Sequence, residues 1–280
     1  MRKRPREDQY PTLTPRPDGS LAFAYDGNPP ATLELPGVRY TRDTREVLVP
    51  LREERSASER LYVLPRGCAP LLDRLGLRPR FLLPGVHHAA DFPQAAGALY
   101  VGGADLDPVL YGARCHPKTG ATEQRRDVLE ILLLRERILP QRLPFLGLCR
   151  GAQALAIAAD GTLHQHLPDL GHDEEHWEDP VVGGDATHPV LVDPASRCAT
   201  YLGTRRVTVN SHHHQAIDRP GVGNRIVGRS PSGIAEIIER DDPSHWCVGL
   251  QGHPERESSS CLTPVLRAFA GAVRSHRPKV

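Results

Sequence analysis

The stretch Leu143-Pro-Phe-Leu-Gly-Leu-Cys149-Arg150-Gly151-Ala-Gln153-Ala-Leu constrains the fold more than any other part of the chain. It passes from a short apolar strand signal through Gly-x-Cys-x-Gly into a helical signal, with Cys149 at the joint. On a sharp strand-to-helix turn a side chain projects clear of the sheet, and the flanking glycines permit the turn and a close backbone approach. The helix N-terminus that follows favours thiolate over thiol. A buried cysteine in a parallel strand would carry the same local pattern, because free cysteines are often core residues. The decision between the two depends on what surrounds the stretch.

Upstream, strand and helix signals alternate. Residues 46–50, 80–84 and 98–101 read as strands, and 58–75 as a helix interrupted by Pro65 and Pro70. Residues 123–138 have the clearest helical spacing, with a stop expected at Pro140. The Leu143 strand and a helix through Ala159 complete this half. Such alternation predicts an α/β fold: a mostly parallel central sheet with helices on both faces. Ligands in such sheets bind beyond the carboxyl ends of the strands, where both Gly102-Gly103 and Cys149 fall.

Beyond Gly161 the chain turns polar and histidine-bearing to about residue 205. Strand signals resume at 206–210, 225–228, 235–238 and 246–251, suggesting a smaller antiparallel β portion, and a last amphipathic helix covers 259–275. Residues 1–45 differ in character. They predict an N-terminal extension, partly disordered or a small hairpin of 21–25 against 32–35, ahead of a single domain over 46–280.

Charge excludes some classes of partner. Lys+Arg number 35 against 34 Asp+Glu, a formal charge of +1, so neither a polyanion nor a membrane surface is indicated. The basic run at residues 2–6 reads as a solvated tail. Six scattered cysteines without a C-x-x-C pair suit a reducing compartment. With no signal-peptide core and no apolar run long enough for a bilayer, a cytoplasmic location is the expectation.

Three further constellations could serve Cys149. In Gln251-Gly-His253-Pro-Glu255 a strand ends at a histidine with an acid two residues on. Thiol catalysis needs a base and a group to orient it, although a plain loop after a strand has the same form. Gly102-Gly103 could aim an N–H into a cavity and, with the Arg150 N–H, form an oxyanion hole; a tight turn is the simpler reading. Val209-Asn210-Ser211-His212-His213-His214-Gln215 could present donors and acceptors to a charged small substrate. Metal competes for that loop, since His164, His166, His172, His176 and His188 are also present among fourteen histidines. No H-E-x-x-H or C-x-x-C spacing occurs, and adjacent histidines in a strand face opposite ways, so no metal site is expected.

Together these motifs resemble the class I glutamine amidotransferase superfamily, and within it the stand-alone gamma-glutamyl-gamma-aminobutyrate hydrolases. Leu146-Gly-Leu-Cys149-Arg-Gly-Ala-Gln153 is similar to that family's nucleophile motif. Val101-Gly-Gly-Ala-Asp105-Leu-Asp107-Pro108 resembles its oxyanion turn, and Arg126-Asp127-Val-Leu-Glu130 its preceding helix. Gly161-Thr-Leu-His-Gln165, the Asn210 loop and Gln251-Gly-His253-Pro-Glu255 look like its later signatures.

The resemblance implies a flavodoxin-like fold with Cys149 as nucleophile, His253 as base and Glu255 as orienting acid. It implies oxyanion donors from the Gly102/Gly103 turn and the Arg150 N–H, and substrate contacts from Gln153 and the backbone of Asn210, Ser211 and His212. The implied reaction is hydrolysis of a small gamma-glutamyl amide through a thioester, without cofactor, as in amine or polyamine catabolism. The implied partner is the small substrate, with homodimerisation left open.

Three departures bear on substrate choice. Gly252 stands where the family places an aromatic residue, Val101 replaces a proline, and Asp160 replaces a glycine. Gly252 is expected to open room for a bulkier amine. Rival readings are a glutaminase subunit feeding ammonia to a separate synthase, and a catalytically silent binding homologue.

Overall fold

A computed structural model describes residues 13–27, 33–41, 44–55, 60–88, 90–91, 94–171, 176, 185–256 and 260–277. Five strands form the parallel half of the main sheet, in the order Cys247–Leu250, Phe145–Leu148, Gly97–Tyr100, Glu46–Pro50 and Arg78–Leu82. Their side chains alternate between two cores, as a two-residue repeat requires. Val47, Val49, Leu146 and Leu148 join one cluster with Leu71, Leu72, Leu266 and Phe269. Leu48 and Phe145 join another with Leu129, Leu133, Leu155 and Ile157. Helices Cys68–Leu75 and Thr263–Ser275 therefore cover one face, while Gln124–Leu133 and Arg150–Ala158 cover the other. The α/β class with helices on both faces is as the sequence suggests.

The sheet does not end at the parallel half. Ala235–Arg240 pairs antiparallel with Cys247–Leu250, and Asn224–Arg229, Ala186–Val192 and Arg206–Ser211 follow outward. Ala216–Arg219 pairs with Ala235 and with Thr162–His164. The antiparallel portion is thus continuous with the parallel one in a single eleven-stranded sheet.

Several local expectations are corrected. Residues 60–64 are a strand, and among the described residues of 58–75 only Cys68–Leu75 is helical. Pro65 pushes the residue before it out of the α region, and extended pairing with Arg52–Arg55 and Leu21–Ala24 uses the backbone groups that a helix would have consumed. Leu21–Ala24 pairs with Arg60–Leu64 and Thr14–Pro15 rather than with 32–35. Residues 28–32 and the basic run at 2–6 lie outside the described residues. Leu13, Leu33 and Leu35 are buried in the same apolar cluster as Val47.

The helix expected to stop at Pro140 instead widens into a π turn at Leu134–Ile138 and runs on through Leu139–Gln141. Pro140 has no N–H to donate into the preceding turn, and the widened turn lies directly before it. Ala186–Val192 is a full strand in the stretch read as turns. Its buried residues alternate from Ala186 to His188, Val190 and Val192.

Adjacency sets the site. Three neighbouring parallel strands end together, so the Gly102-Gly103 turn, Cys149 and the 251–255 segment emerge side by side. Among the described residues no helix is long and apolar enough to cross a membrane.

Candidate active site

Cys149 has φ 50° and ψ −108°, a conformation that L residues seldom adopt. Neighbouring contacts hold it there. Its N–H donates to the Leu250 carbonyl at 2.7 Å, and its carbonyl accepts from Ala152 and Gln153 in the first helical turn. The glycines on either side are required by space. A Cβ on Gly147 would lie 2.5 Å from the Gly151 backbone, and one on Gly151 would lie 2.7 Å from Tyr100. The Cys149 side chain stands at the N-terminus of Arg150–Ala158, with the Gln251 Nε2 donating toward its Sγ at 3.6 Å. The thiols of Cys68, Cys198 and Cys247 are pushed up by burial, which marks them as core residues.

His253 Nδ1 bonds Glu255 Oε1 at 2.7 Å, and both residues are buried. Proline between them holds the two side chains in a fixed relation. Asn210 grips the His253 backbone on both sides, accepting from its N–H at 3.2 Å and donating to its carbonyl at 2.9 Å. Burial, the largest single influence, would depress the imidazole pKa. Attraction from Cys149 and then Glu255, with hydrogen bonds to both, outweighs it and raises the value to about 10. These surroundings favour the imidazolium form of His253.

The Gly102-Gly103 turn is held from beneath by charge. Arg126 is fully buried and donates to the carbonyls of Val101 at 2.8 Å and Gly102 at 3.3 Å, and to Glu130 at 2.7 Å. A trans peptide points its C=O and N–H in opposite directions, so with the Gly102 carbonyl turned to Arg126 the Gly103 N–H faces away from it. Arg150 spends its guanidinium on Glu130 and Asp127 below the site. Its backbone N–H, at the first helical position, has no intrahelical acceptor. Gly102 packs on the catalytic candidate itself, since a Cβ there would lie 2.9 Å from His253 Cε1.

A cleft of about 180 Å³ opens over Cys149, lined by Gly103, Asp105, Arg150, Gln153, His212 and His214 among others. Of the substrate contacts that sequence suggested, Gln153 and His212 face this cleft. The Gln153 amide is held by the Gln215 carbonyl at 3.1 Å and Gln251 Oε1 at 3.3 Å. Asn210 and Ser211 do not line it. The Asn210 side chain is engaged with His253 and Asp185, and the Ser211 hydroxyl donates to the His176 carbonyl. Gly252 is also corrected: a Cβ there would sit 2.7 Å from the Asn210 carbonyl oxygen. That position is filled by neighbouring backbone and is not part of the cleft wall.

The peptidase C26 pattern matches residues 86–255, which is more than half of the chain and contains every site residue named above. The chain belongs to the peptidase C26 family. It is 39% identical over 184 residues to a Mycobacterium tuberculosis protein named "putative glutamine amidotransferase", covering 64% of this chain and 58% of that one. It is 30% identical over 180 residues to the gamma-glutamyl-gamma-aminobutyrate hydrolase of Escherichia coli O157:H7, covering 62% and 69%. A glutamine amidotransferase structure from Thermotoga maritima shares the fold, with a TM-score of 0.52 at 18% identity over 80% of this chain and 82% of that one. The chain thus spans little more than half the length of the mycobacterial relative.

Within this C26 chain, some functional contacts had no local signal. Asp105 accepts from the His214 Nε2 at 3.0 Å and from the Gly120 N–H at 2.7 Å, closing one side of the cleft. His212, His213 and His214 all border the cleft just past the end of the Arg206–Ser211 strand, and the buried His213 ring is turned toward Glu236. Its burial, with nearby His176 and His188, keeps His213 well below the usual imidazole pKa. His172 lies outside the described residues. His213, His176 and His188 meet Glu236, a group the absence of local metal spacing did not anticipate.

Proposed function

We propose that this chain is a cysteine-dependent hydrolase that cleaves the gamma-glutamyl amide bond of a small gamma-glutamyl amine. Membership of the C26 family and the relatives' names support a hydrolase or amidotransferase role in general. The observation that carries the reading is His253, held by Glu255 and Asn210 near a cysteine on a strained turn.

The Cys149 sulfur attacks the gamma-carbonyl carbon, and the carbonyl oxygen becomes an oxyanion facing the Gly103 and Arg150 N–H groups. Collapse expels the amine, which takes its proton from His253, and leaves a gamma-glutamyl thioester on Cys149. The neutral imidazole then accepts a proton from water as that water attacks the thioester. Glutamate leaves, and the sulfur and imidazolium are restored. Gln153 and His212 stand where they can hold the amino-acid end of the substrate. Glu255 keeps the His253 ring oriented and stabilises its charge.

The test is glutamate release from a panel of gamma-glutamyl amides, free glutamine included, with Cys149→Ala as control. Turnover of gamma-glutamyl amines by the isolated chain, abolished in Cys149→Ala, is expected. Turnover of glutamine alone, rising only with an added synthase, would favour an ammonia-supplying subunit. Biological activity unchanged in Cys149→Ala would make the chain a silent binder.

A further inference from the structure

We propose that His176, His188, His213 and Glu236 form a structural site for a zinc-class divalent cation. All four are buried, and one ligand atom from each lies within 4.8 Å of every other. The carboxylate oxygen Glu236 Oε1 stands 3.4 Å from His176 Nδ1, 3.6 Å from His188 Nε2 and 3.7 Å from His213 Nε2. These separations exceed the usual N–H···O length of about 2.7–3.2 Å. They approach the roughly 3.3–3.4 Å edge of a tetrahedron whose bonds to zinc are about 2.0–2.1 Å long. The three carboxylate–imidazole edges need only small contractions to surround an ion.

The outer contacts orient the rings for that task. His188 Nδ1 lies 3.2 Å from the Pro189 carbonyl, and His213 Nδ1 lies 3.0 Å from the Gln215 carbonyl. A carbonyl can only accept, so each Nδ1 carries a proton and each Nε2 is the nitrogen turned toward Glu236. Metal-bound histidines are held in this way by their other ring nitrogen. Three imidazoles and a carboxylate without sulfur suit zinc and the neighbouring divalent metals. Four protein ligands leave no open position, so the site is structural rather than catalytic.

An ion there would join four separate stretches: residue 176, the Ala186–Val192 strand, the 211–215 loop and the Ala235–Arg240 strand. The His213 N–H and Ser211 hydroxyl both donate to the His176 carbonyl, at 2.7 and 3.2 Å. The histidines flanking His213 line the cleft. On the other side, the Gln251 N–H donates to the Glu236 carbonyl at 2.8 Å, and the Gln251 side chain reaches Cys149. The ion would thus brace the wall of the cleft without touching the reacting atoms.

The test uses the full chain purified without a histidine tag or chelator. Elemental analysis of the wild type and of Cys149→Ala is expected to give about one divalent ion per chain in both. Cobalt added after chelator treatment is expected to give the visible absorption bands of a four-coordinate site. Glu236→Gln is expected to weaken zinc binding by at least roughly tenfold to hundredfold, since even outer contacts of bound metal carry that much. Should that variant fail to fold, competition between the wild type and a chromogenic zinc chelator gives the affinity directly. Negligible metal in the wild type, with no cobalt bands and no thermal shift on adding zinc, cobalt, nickel or manganese, would overturn the proposal. That result would leave the hydrolase reading untouched, because the ion has no part in the chemistry.

Discussion

Asn210 brackets His253, with its side-chain oxygen on the His253 N–H at 3.2 Å and its side-chain nitrogen on the His253 carbonyl at 2.9 Å. A residue from one antiparallel strand thereby sets the backbone of the loop that carries the candidate proton carrier. Asn210→Ala is expected to lower kcat by about tenfold to hundredfold while KM changes little, because small misplacements of a reacting group cost rates on that order. Steady-state kinetics on the best gamma-glutamyl amide checks this. A raised KM with kcat intact would return Asn210 to the substrate-binding role that its motif suggests.

The raised His253 pKa makes a pH prediction with a definite sign. Its value is about 10 in the folded chain, against an ordinary 6.5. A group whose pKa rises on folding stabilises the native state fully below its unfolded value, and that contribution disappears as pH climbs through the folded one. The His253 contribution should therefore be whole below about pH 6.5 and lost on approaching pH 10. Loss of the imidazolium should also produce an alkaline fall in turnover over the upper part of that range. In Cys149→Ala the strongest influence raising the pKa is gone, and NMR titration should find His253 titrating at lower pH. An unchanged titration would mean that the sulfur does not face the imidazole.

These two residues also mark what local sequence can and cannot convey. The turn at Cys149 is legible because strand, glycines and helix follow one another within a dozen residues. Alternation of strands and helices implies the parallel sheet, whose common strand ends place Gly102, Cys149 and His253 together. Asn210 is legible as part of a site motif, but not as a brace for His253, because its partner lies 43 residues away. Glu236 gives no signal, as it sits within a strand and meets histidines from three other segments. Arg60–Leu64 escapes a local reading for a related reason: its pairing partners include Leu21–Ala24, and helical periodicity does not report them.

Gly252 tests whether a missing aromatic side chain leaves a hole. A Cβ at this position would lie 2.7 Å from the Asn210 carbonyl oxygen, so Gly252→Ala must displace backbone rather than fill space. Such overpacking costs roughly 1–3 kcal/mol, and each kcal/mol lowers Tm by about 2–4 °C in a domain of 150–250 residues. Differential scanning calorimetry should show a loss of that order. Turnover should fall as well, because the displaced strand carries Asn210. An unchanged Tm, together with narrowed acceptance of bulky amines, would restore Gly252 as the residue that opens the cleft.

The strain at Cys149 can be measured apart from its chemistry. At φ 50° and ψ −108° the backbone lies near the mirror image of the extended region, which glycine enters freely and other residues do not. Holding a side chain there costs of order 1–3 kcal/mol. Cys149→Ala removes the sulfur and keeps that strain, whereas Cys149→Gly removes both. Glycine also loses more chain entropy on folding, a penalty of roughly 0.5–1 kcal/mol relative to alanine. Relief of the strain outweighs or matches that penalty, so Cys149→Gly should unfold at a temperature equal to or above that of Cys149→Ala, with both variants inactive. Thermal unfolding of the pair under identical conditions decides it. A glycine variant clearly less stable than the alanine one would show that the turn stores no strain, and the sulfur's placement at the helix N-terminus would then need another cause.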